Sequence, residues 1–253
     1  MACGGADPCT VSGGSYLVHT PSGWDGKAAL PVLMFFHGYR QSAADFLDDA
    51  GMRGLADERG VLLVGPQGAE QTWSFPGAPS RARDDLAFVQ TVLDDLVARF
   101  PVDRSRIIAS GFSQGAAMVW GLACHAGARF VAFLPVAGDF WEPLPSSCPS
   151  GPASIWHIHG TSDTTFPMSG RSVGLYYRQG RLEDGWALWQ RTDQCSATPE
   201  RASDLAGMAC HFWTPAQCGG GRALTLCLHP GGHDFEAAWL RPALIWAMGL
   251  ARH

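Results

Sequence analysis

Short apolar runs alternate with helical segments along most of this chain, and this alternation constrains the fold more than any other feature. Pro31–Phe36 and Val61–Gly65 are nearly continuous apolar runs, as expected of strands that are buried on both faces. Further strands are predicted at Ser15–Thr20, Arg106–Ser110, Phe130–Ala137 and Ser154–His159. The alternation predicts an α/β fold with a mostly parallel central sheet and helices on both faces.

The helical segments lie between these strands. Asp85–Phe100 has apolar residues at positions 86, 89, 92, 93, 96 and 97, which fits the helical period of 3.6, and Asp84 is its expected N-cap. Helices are also predicted at Ala43–Arg59, as one or two pieces, Gln114–His125 and Phe235–Leu250.

The pattern changes near the C-terminus, where a Gly-rich turn joins two predicted antiparallel strands, Ala209–Pro215 and Ala223–His229. No internal repeat, linker or charge block interrupts the chain. We therefore expect one domain over residues 1–253, in which residues 1–14 form an N-terminal extension tied by a disulfide.

Composition excludes several classes of protein. Charged residues make up 16% of the 253 residues and hydrophobic residues 46%, which excludes global disorder. The basic residues are scattered and the net charge is −5, so no nucleic-acid partner is expected. The apolar runs are much shorter than the roughly 18 residues of a membrane-spanning segment, so no membrane span is expected.

The eight cysteines are an even set without a CxxC pair, which argues against structural zinc. Most lie in loop-like surroundings, so we expect four disulfides formed in an oxidising compartment rather than buried free thiols. The chain begins MACGGADPCT without the apolar segment of a signal peptide. The expected disulfides indicate a secreted or periplasmic protein, and for such a protein this sequence would be the mature form with an added Met.

Positions along the predicted elements favour one pairing of these cysteines. The expected disulfides are Cys3–Cys9, Cys124–Cys148, Cys195–Cys218 and Cys210–Cys227. In an antiparallel hairpin centred near residues 218–219, residues whose numbers share one sum face each other, which places Cys210 opposite Cys227. Cys218 then lies at the tip of the hairpin, where it can tie down the loop that carries Cys195.

Residues 111–115 read GFSQG, a G-x-S-x-G motif that follows a predicted strand and opens an Ala-rich helix. This is the context of a nucleophile elbow, in which glycines permit a tight turn and the serine hydroxyl stands above the sheet edge. The motif therefore predicts Ser113 as a nucleophile.

A serine nucleophile needs a base and an acid. His233, in the sequence PGGHDFE between the last strand and the last helix, is the predicted base, and His229 is the alternative. Asp163 follows the strand SIWHIH and is the predicted acid, which would fix the histidine tautomer and stabilise the imidazolium. Asp139, after the preceding strand, is the alternative acid.

A developing oxyanion needs preorganised N–H donors. We predict the backbone amides of Gln114, directly after the nucleophile, and Tyr39, in the loop after an early strand. The side chain of His37 in that loop is expected to be structural. His157 and His159 alternate on one strand and are expected to brace the core or a loop rather than to bind metal. No metal and no cofactor are expected.

Aromatic residues are frequent in the loops at the same sheet edge and predict an apolar cleft. The predicted substrate contacts are Trp73, Phe112 and Phe166. The expected partner is a small-molecule or oligomeric ester, and the oligomeric state is left open.

The motifs HGYRQSAADF, DDLAFVQTVLDDLVARFPVDRSRIIASGFSQGAAM, HGTSD and GGH resemble the secreted polyhydroxybutyrate depolymerase and feruloyl esterase family of α/β-hydrolases. The resemblance runs from about Ser15 to the C-terminus and is most specific over residues 84–118. It implies an α/β-hydrolase fold and a serine carboxylic-ester hydrolase that acts through an acyl-enzyme, with Ser113, Asp163 and His233 as nucleophile, acid and base.

Two departures from the family pattern affect the pocket. Tyr39 stands where the family often has Cys or another small residue, and Gln114 stands where it often has Asn. Because both positions donate through the backbone, we expect catalysis to persist, whereas the family is a weak guide to the substrate of this chain. The alternatives are an acetyl-sugar esterase of the acetylxylan type, or a non-catalytic secreted binding protein on the same fold.

Overall fold

The structure is a computed structural model, and it describes residues 3–5 and 7–250. The predicted extension at residues 1–14 and the predicted domain at residues 1–253 therefore fall partly outside the described residues. The strands in the described part are β1 Cys9–Val11, β2 Gly14–His19, β3 Leu30–Phe36, β4 Leu62–Pro66, β5 Val102–Phe112, β6 Ala132–Val136, β7 Ile155–Gly160, β8 Arg171–Val173, β9 Tyr177–Gln179, β10 Arg201–Leu205, β11 Met208–Trp213 and β12 Leu224–His229.

Ten of these strands form one sheet in the order β1-β2-β4-β3-β5-β6-β7-β12-β11-β10, and β8 pairs with β9 in a separate hairpin. The six central strands, from β4 to β12, run parallel, whereas the pairs at both edges are antiparallel. The predicted mostly parallel sheet is confirmed. Because parallel strands end at the same sheet edge, the loops after β3, β5, β7 and β12 lie at one edge.

The α-helices are α1 Ala43–Leu47, α2 Ala50–Arg59, α3 Asp85–Arg99, α4 Gln114–Ala126, α5 Leu182–Thr192 and α6 Ala237–Met248. They cover both faces of the sheet, as successive residues of β3 show. Met34 belongs to the core under α3, α4 and α5, whereas Phe35 belongs to the core under α1, α2 and α6. The predicted N-cap of α3 is present, because the Asp84 carboxylate accepts a hydrogen bond from Ala87 N at 3.0 Å. No helix in the described part of the chain combines the length and the apolar character that a membrane crossing requires.

Four disulfides join the eight cysteines in the predicted pairs. The register of β11 and β12 pairs Cys210 with Cys227, and Cys218 in the connection is bonded to Cys195. Two disulfides therefore anchor this hairpin, which directly precedes the loop that carries His233. The strands β1, β8, β9 and β10 were not predicted.

A buried carboxyl group gives the stability of this fold a pH dependence. The Asp193 side chain at the end of α5 is fully buried, and its Oδ1 accepts a hydrogen bond from Ala153 N at 3.0 Å. Burial raises the pKa of Asp193 to about 7. Between the ordinary pKa of an aspartate and about 7, the unfolded chain is ionised while the folded chain keeps the proton, so stability falls as pH rises.

Asn at this position keeps an oxygen for Ala153 N but does not titrate. We therefore expect Asp193→Asn to gain stability relative to the wild type as pH rises from 4 to 7, by about 2–4 kcal/mol over that range. Urea unfolding of both proteins at pH 4.5, 5.5 and 7 measures this difference. The prediction would be contradicted if the difference in the free energy of unfolding between the two proteins were the same at all three pH values.

Candidate active site

Ser113 occupies a sharp turn between β5 and α4. Its φ is 56° and its ψ is −119°, a conformation with positive φ that L-residues rarely adopt, and its N–H donates to Val136 O at 2.9 Å. Glycines permit the turn: a Cβ on Gly115 would collide with Phe36 O, and one on Gly111 would lie 2.6 Å from Gly115 O. The predicted strand–turn–helix geometry is therefore present, with Ser113 at the turn.

The three predicted residues Ser113, Asp163 and His233 form one chain of hydrogen bonds. His233 Nε2 lies 2.8 Å from Ser113 Oγ, and His233 Nδ1 lies 2.7 Å from Asp163 Oδ2. Ser113 follows β5, Asp163 follows β7 and His233 follows β12, so the parallel part of the sheet brings all three to one edge.

The Asp163 side chain is fully buried and makes several hydrogen bonds. Its Oδ1 accepts from the amides of Thr165 and Phe166, each at 2.8 Å. Burial raises the pKa of Asp163, but the hydrogen bond with His233 and those from the two amides outweigh burial and hold the pKa below its usual range. The ionised carboxylate requires an N–H at His233 Nδ1, which leaves the Nε2 lone pair facing Ser113.

The two residues predicted to donate to the oxyanion, Tyr39 and Gln114, line the same cleft as Ser113. Gln114 is the first residue of α4, so its N–H has no acceptor within the helix. The N–H of Tyr39 likewise donates to no described residue. The loop after β3 lies against Ser113, since a Cβ on Gly38 would be 3.4 Å from Ser113 Cβ. The orientation of the Gln114 side chain is fixed by Thr72, whose Oγ1 donates to Gln114 Oε1 at 2.7 Å.

His37 and Trp73 support this loop from beneath. His37 Nε2 accepts from Gly68 N at 3.0 Å, so its Nδ1–H donates to Gly38 O at 2.8 Å. Trp73 has no exposed surface, and its Nε1 donates to His37 O at 2.7 Å. The predicted substrate contact of Trp73 is therefore corrected to a packing role, because the side chain does not reach the cleft.

The other two predicted aromatic contacts differ in their positions. Phe112 packs against His233 with ring centroids 4.8 Å apart and against Phe235 at 5.9 Å, and it is not among the described residues that line the cleft. Phe166 does line the cleft and makes an edge contact with Trp141 at 6.0 Å.

The cleft beside Ser113 has a volume of about 540 Å³. Residues from several loops and from the hairpin β8–β9 form its walls. They include Tyr39, Glu70, Thr72, Arg81, Gln114, Trp141, Phe166, Arg171, Val173 and Gln179. Arg81 and Arg171 were not predicted from the sequence as residues of this cleft. Trp141 belongs to the aromatic-rich loop after β6, but no sequence pattern places the two arginines beside the serine.

Buried histidines connect α4 to the loop of the acid. The indole Nε1 of Trp120 donates to His157 Nδ1 at 3.2 Å, so His157 Nε2–H donates to His159 Nδ1 at 3.0 Å. His159 Nε2–H then donates to Phe166 O at 2.8 Å. Burial lowers the pKa of both histidines, which keeps them neutral. The pair therefore braces the loop that holds Asp163.

The alternative base and the alternative acid do not join the serine. His229 Nδ1 accepts from Gly231 N at 3.2 Å, and its ring packs 4.1 Å from that of Trp239. Asp139 is buried, and no described residue makes a hydrogen bond with either carboxyl oxygen. Burial raises the pKa of Asp139 well above its usual range, which is the opposite of the shift at Asp163.

A comparison with solved structures identifies this architecture. A poly(3-hydroxybutyrate) depolymerase from Bordetella parapertussis matches 94% of this chain and 87% of its own, with a TM-score of 0.60 at 17% sequence identity. The protein has the α/β-hydrolase fold. The fold inferred from the sequence motifs is therefore confirmed.

Sequence comparison gives relatives whose names agree with the predicted resemblance. Feruloyl esterase B of Piromyces equi is 25% identical over 240 residues, which are 88% of this α/β-hydrolase chain and 44% of the relative. Poly(3-hydroxyalkanoate) depolymerase C of Paucimonas lemoignei is 28% identical over 127 residues, which are 47% of this chain and 30% of the relative. The chain thus spans less than half of the length of these two relatives. No protein-family model matches it.

Proposed function

We propose that this α/β-hydrolase is a serine carboxylic-ester hydrolase that acts through an acyl-enzyme. The observation that carries the proposal is the chain of hydrogen bonds from Asp163 through His233 to Ser113 at the edge of an apolar cleft. The similarity to feruloyl esterases and polyhydroxyalkanoate depolymerases supports an ester as the substrate.

In the acylation step, Ser113 Oγ attacks the carbonyl carbon of the ester while its proton moves to His233 Nε2. The charge of Asp163 stabilises the resulting imidazolium. The backbone N–H groups of Tyr39 and Gln114 donate to the oxyanion of the tetrahedral intermediate. The intermediate collapses to the acyl-enzyme, and the leaving alkoxide takes the proton from His233 Nε2.

In the deacylation step, a water molecule replaces the alcohol. His233 Nε2 takes a proton from this water as it attacks the acyl carbon, and it returns the proton to Ser113 Oγ when the carboxylic acid leaves. The same two amides donate to the second oxyanion. Each cycle therefore restores the free serine and the neutral histidine.

A fluorophosphonate tests the proposal, because such a probe reacts with an activated serine nucleophile. We expect one adduct per chain, located by peptide mass spectrometry on the peptide that contains Ser113, and no adduct after acid denaturation. A folded protein that stays unlabelled would contradict the proposal and favour the alternative of a non-catalytic binding protein.

The cleft favours an acyl group larger than acetyl. Its volume of about 540 Å³ and its walls of Trp141, Phe166 and Val173 offer apolar contact that an acetyl group is too small to use. A panel of acetyl-sugar, feruloyl and hydroxybutyrate esters compared by kcat/KM distinguishes these classes. The highest value on acetyl-sugar esters would favour the alternative of an acetylxylan-type esterase.

The four disulfides support a location outside the reducing cytoplasm. We infer that the protein is secreted or periplasmic.

A further inference from the structure

Two arginines of the cleft have no acidic partner. Arg81 and Arg171 come from different segments, and both line the cavity that contains Ser113. Neither forms a salt bridge with a described residue, whereas nine other arginines in the described part of the chain do. The cleft beside the serine therefore contains two guanidinium groups that form no salt bridge with a described residue.

Arg171 is held in place from two sides. Its Nε donates to Thr165 O at 2.7 Å and to Gln179 Oε1 at 3.1 Å. Thr165 belongs to the loop of Asp163, and Gln179 is a buried residue of β9. No described residue accepts a hydrogen bond from either Nη atom of Arg171, so the planar end of the guanidinium is available to a ligand. Arg81 is fixed through Nη1, which donates to Ala78 O and Ser80 O.

The remaining lining of the cleft favours an anion at this position. Trp141, Phe166 and Val173 are apolar, and Glu70 is the one acidic residue among the described lining residues, so the charges sum to +1. Both arginines are solvent-exposed, so a ligand can reach their guanidinium groups, although water screens part of the attraction for an anion. The planar fork of an arginine matches the two oxygens of a carboxylate.

The geometry of the reaction decides which part of the ester enters the cleft. The leaving oxygen must reach His233 Nε2, which supplies its proton. His233 is not among the described residues that line the cleft, whereas Ser113, Tyr39 and Gln114 are. The alcohol part of the ester therefore departs on the His233 side, and the acyl part extends into the cleft.

We propose that Arg171 and Arg81 form a carboxylate-binding subsite for the acyl part of the substrate. The preferred substrates are then esters whose acyl group is apolar along its length and carries a carboxylate at its far end, as in half-esters of dicarboxylic acids. This inference rests on the proposed ester hydrolase activity and specifies its substrate class.

Two esters of the same chain length test the subsite: 4-nitrophenyl hydrogen adipate, which carries the carboxylate, and 4-nitrophenyl methyl adipate, in which that group is neutral. The six-carbon chain disfavours attack by the carboxylate on its own ester. We expect the wild-type protein to hydrolyse the anionic ester with at least about tenfold higher kcat/KM, the size expected for hydrogen bonds to a charged group. The difference should lie mainly in KM and shrink at high salt.

Arg171→Gln should bring the ratio of the two kcat/KM values towards one, and Arg81→Gln should lower it in part. Arg171→Lys keeps the charge without the fork and should give an intermediate ratio. Arg178→Gln is the matched control: Arg178 lies on β9 of the same hairpin, pairs with Glu142 and is not among the described residues that line the cleft. It should leave the ratio unchanged.

Equal kcat/KM values for the two esters in the wild-type protein would overturn the subsite while leaving the hydrolase activity in place. A ratio that Arg171→Gln does not change would overturn it as well. If neither ester is hydrolysed and Ser113 stays unlabelled by a fluorophosphonate, the proposed function itself fails, and the subsite fails with it.

Discussion

Ser113→Ala should lower kcat/KM for ester hydrolysis by about 10⁴–10⁶-fold, the loss that follows removal of the nucleophile from a catalytic triad. Folding should persist, because the described hydrogen bond of the hydroxyl is the one with His233. The backbone strain at this position is also unchanged, since serine and alanine both carry a Cβ. Initial rates with 4-nitrophenyl acetate and a thermal unfolding curve measure the two effects.

Ser105→Ala is a suitable control for this experiment. Ser105 is an exposed residue of the same strand, β5, and its hydroxyl donates to Asp103 at the opposite end from the elbow. We expect its rate to stay close to that of the wild type. Residual hydrolysis within tenfold of the wild type in folded Ser113→Ala would show that another group is the nucleophile.

Asp163→Asn should lower kcat by about 10⁴-fold, and the structure explains why the amide is a poor substitute. The amides of Thr165 and Phe166 both donate to Oδ1, so they orient the asparagine with its oxygen at that position. Its NH₂ group then faces His233 Nδ1. The histidine must accept there, which places its N–H at Nε2, where it can no longer take the proton of Ser113. The negative charge that stabilises the imidazolium is lost as well.

The variant Asp139→Asn distinguishes which of the two aspartates, Asp139 or Asp163, is the catalytic acid. Asp139 is buried without a described hydrogen-bond partner, and burial raises its pKa, so a neutral amide of similar shape should change the rate little. Steady-state kinetics of both variants at pH 7 provide the measurement. Loss of activity in Asp139→Asn with retention in Asp163→Asn would reverse the assignment.

The central sheet could be predicted because its strands have an unambiguous pattern. Parallel strands that are covered on both faces are apolar throughout, as in Leu30–Phe36 and Leu62–Pro66. The glycines of GFSQG indicate the elbow because a Cβ at Gly111 would lie only 2.6 Å from Gly115 O within the same turn. These features depend on local geometry, which a single sequence records.

Other features depend on contacts between distant segments and leave no local pattern. Strand β10 is the polar sequence RASDL at a sheet edge, where one side is unpaired, so it lacks the apolar alternation of a buried strand. The hairpin β8–β9 has exposed apolar residues, Leu175 and Tyr176, at its tip. The sequence does not distinguish Trp73 from Trp141, since both lie in loops at the same sheet edge. The fold buries Trp73 completely and places Trp141 in the wall of the cleft.

Helix α4 carries Ser113 at its N-cap and Trp120 two turns later. An indole N–H can only donate, so Trp120 imposes one direction on the hydrogen bonds that pass through His157 and His159 to the carbonyl of Phe166. Because His157 and His159 lie on β7, these hydrogen bonds join the helix that begins at the nucleophile to the sheet and to the loop that holds the carboxylate. The relative position of the nucleophile and the acid therefore depends on the packing of Trp120 as well as on the strands.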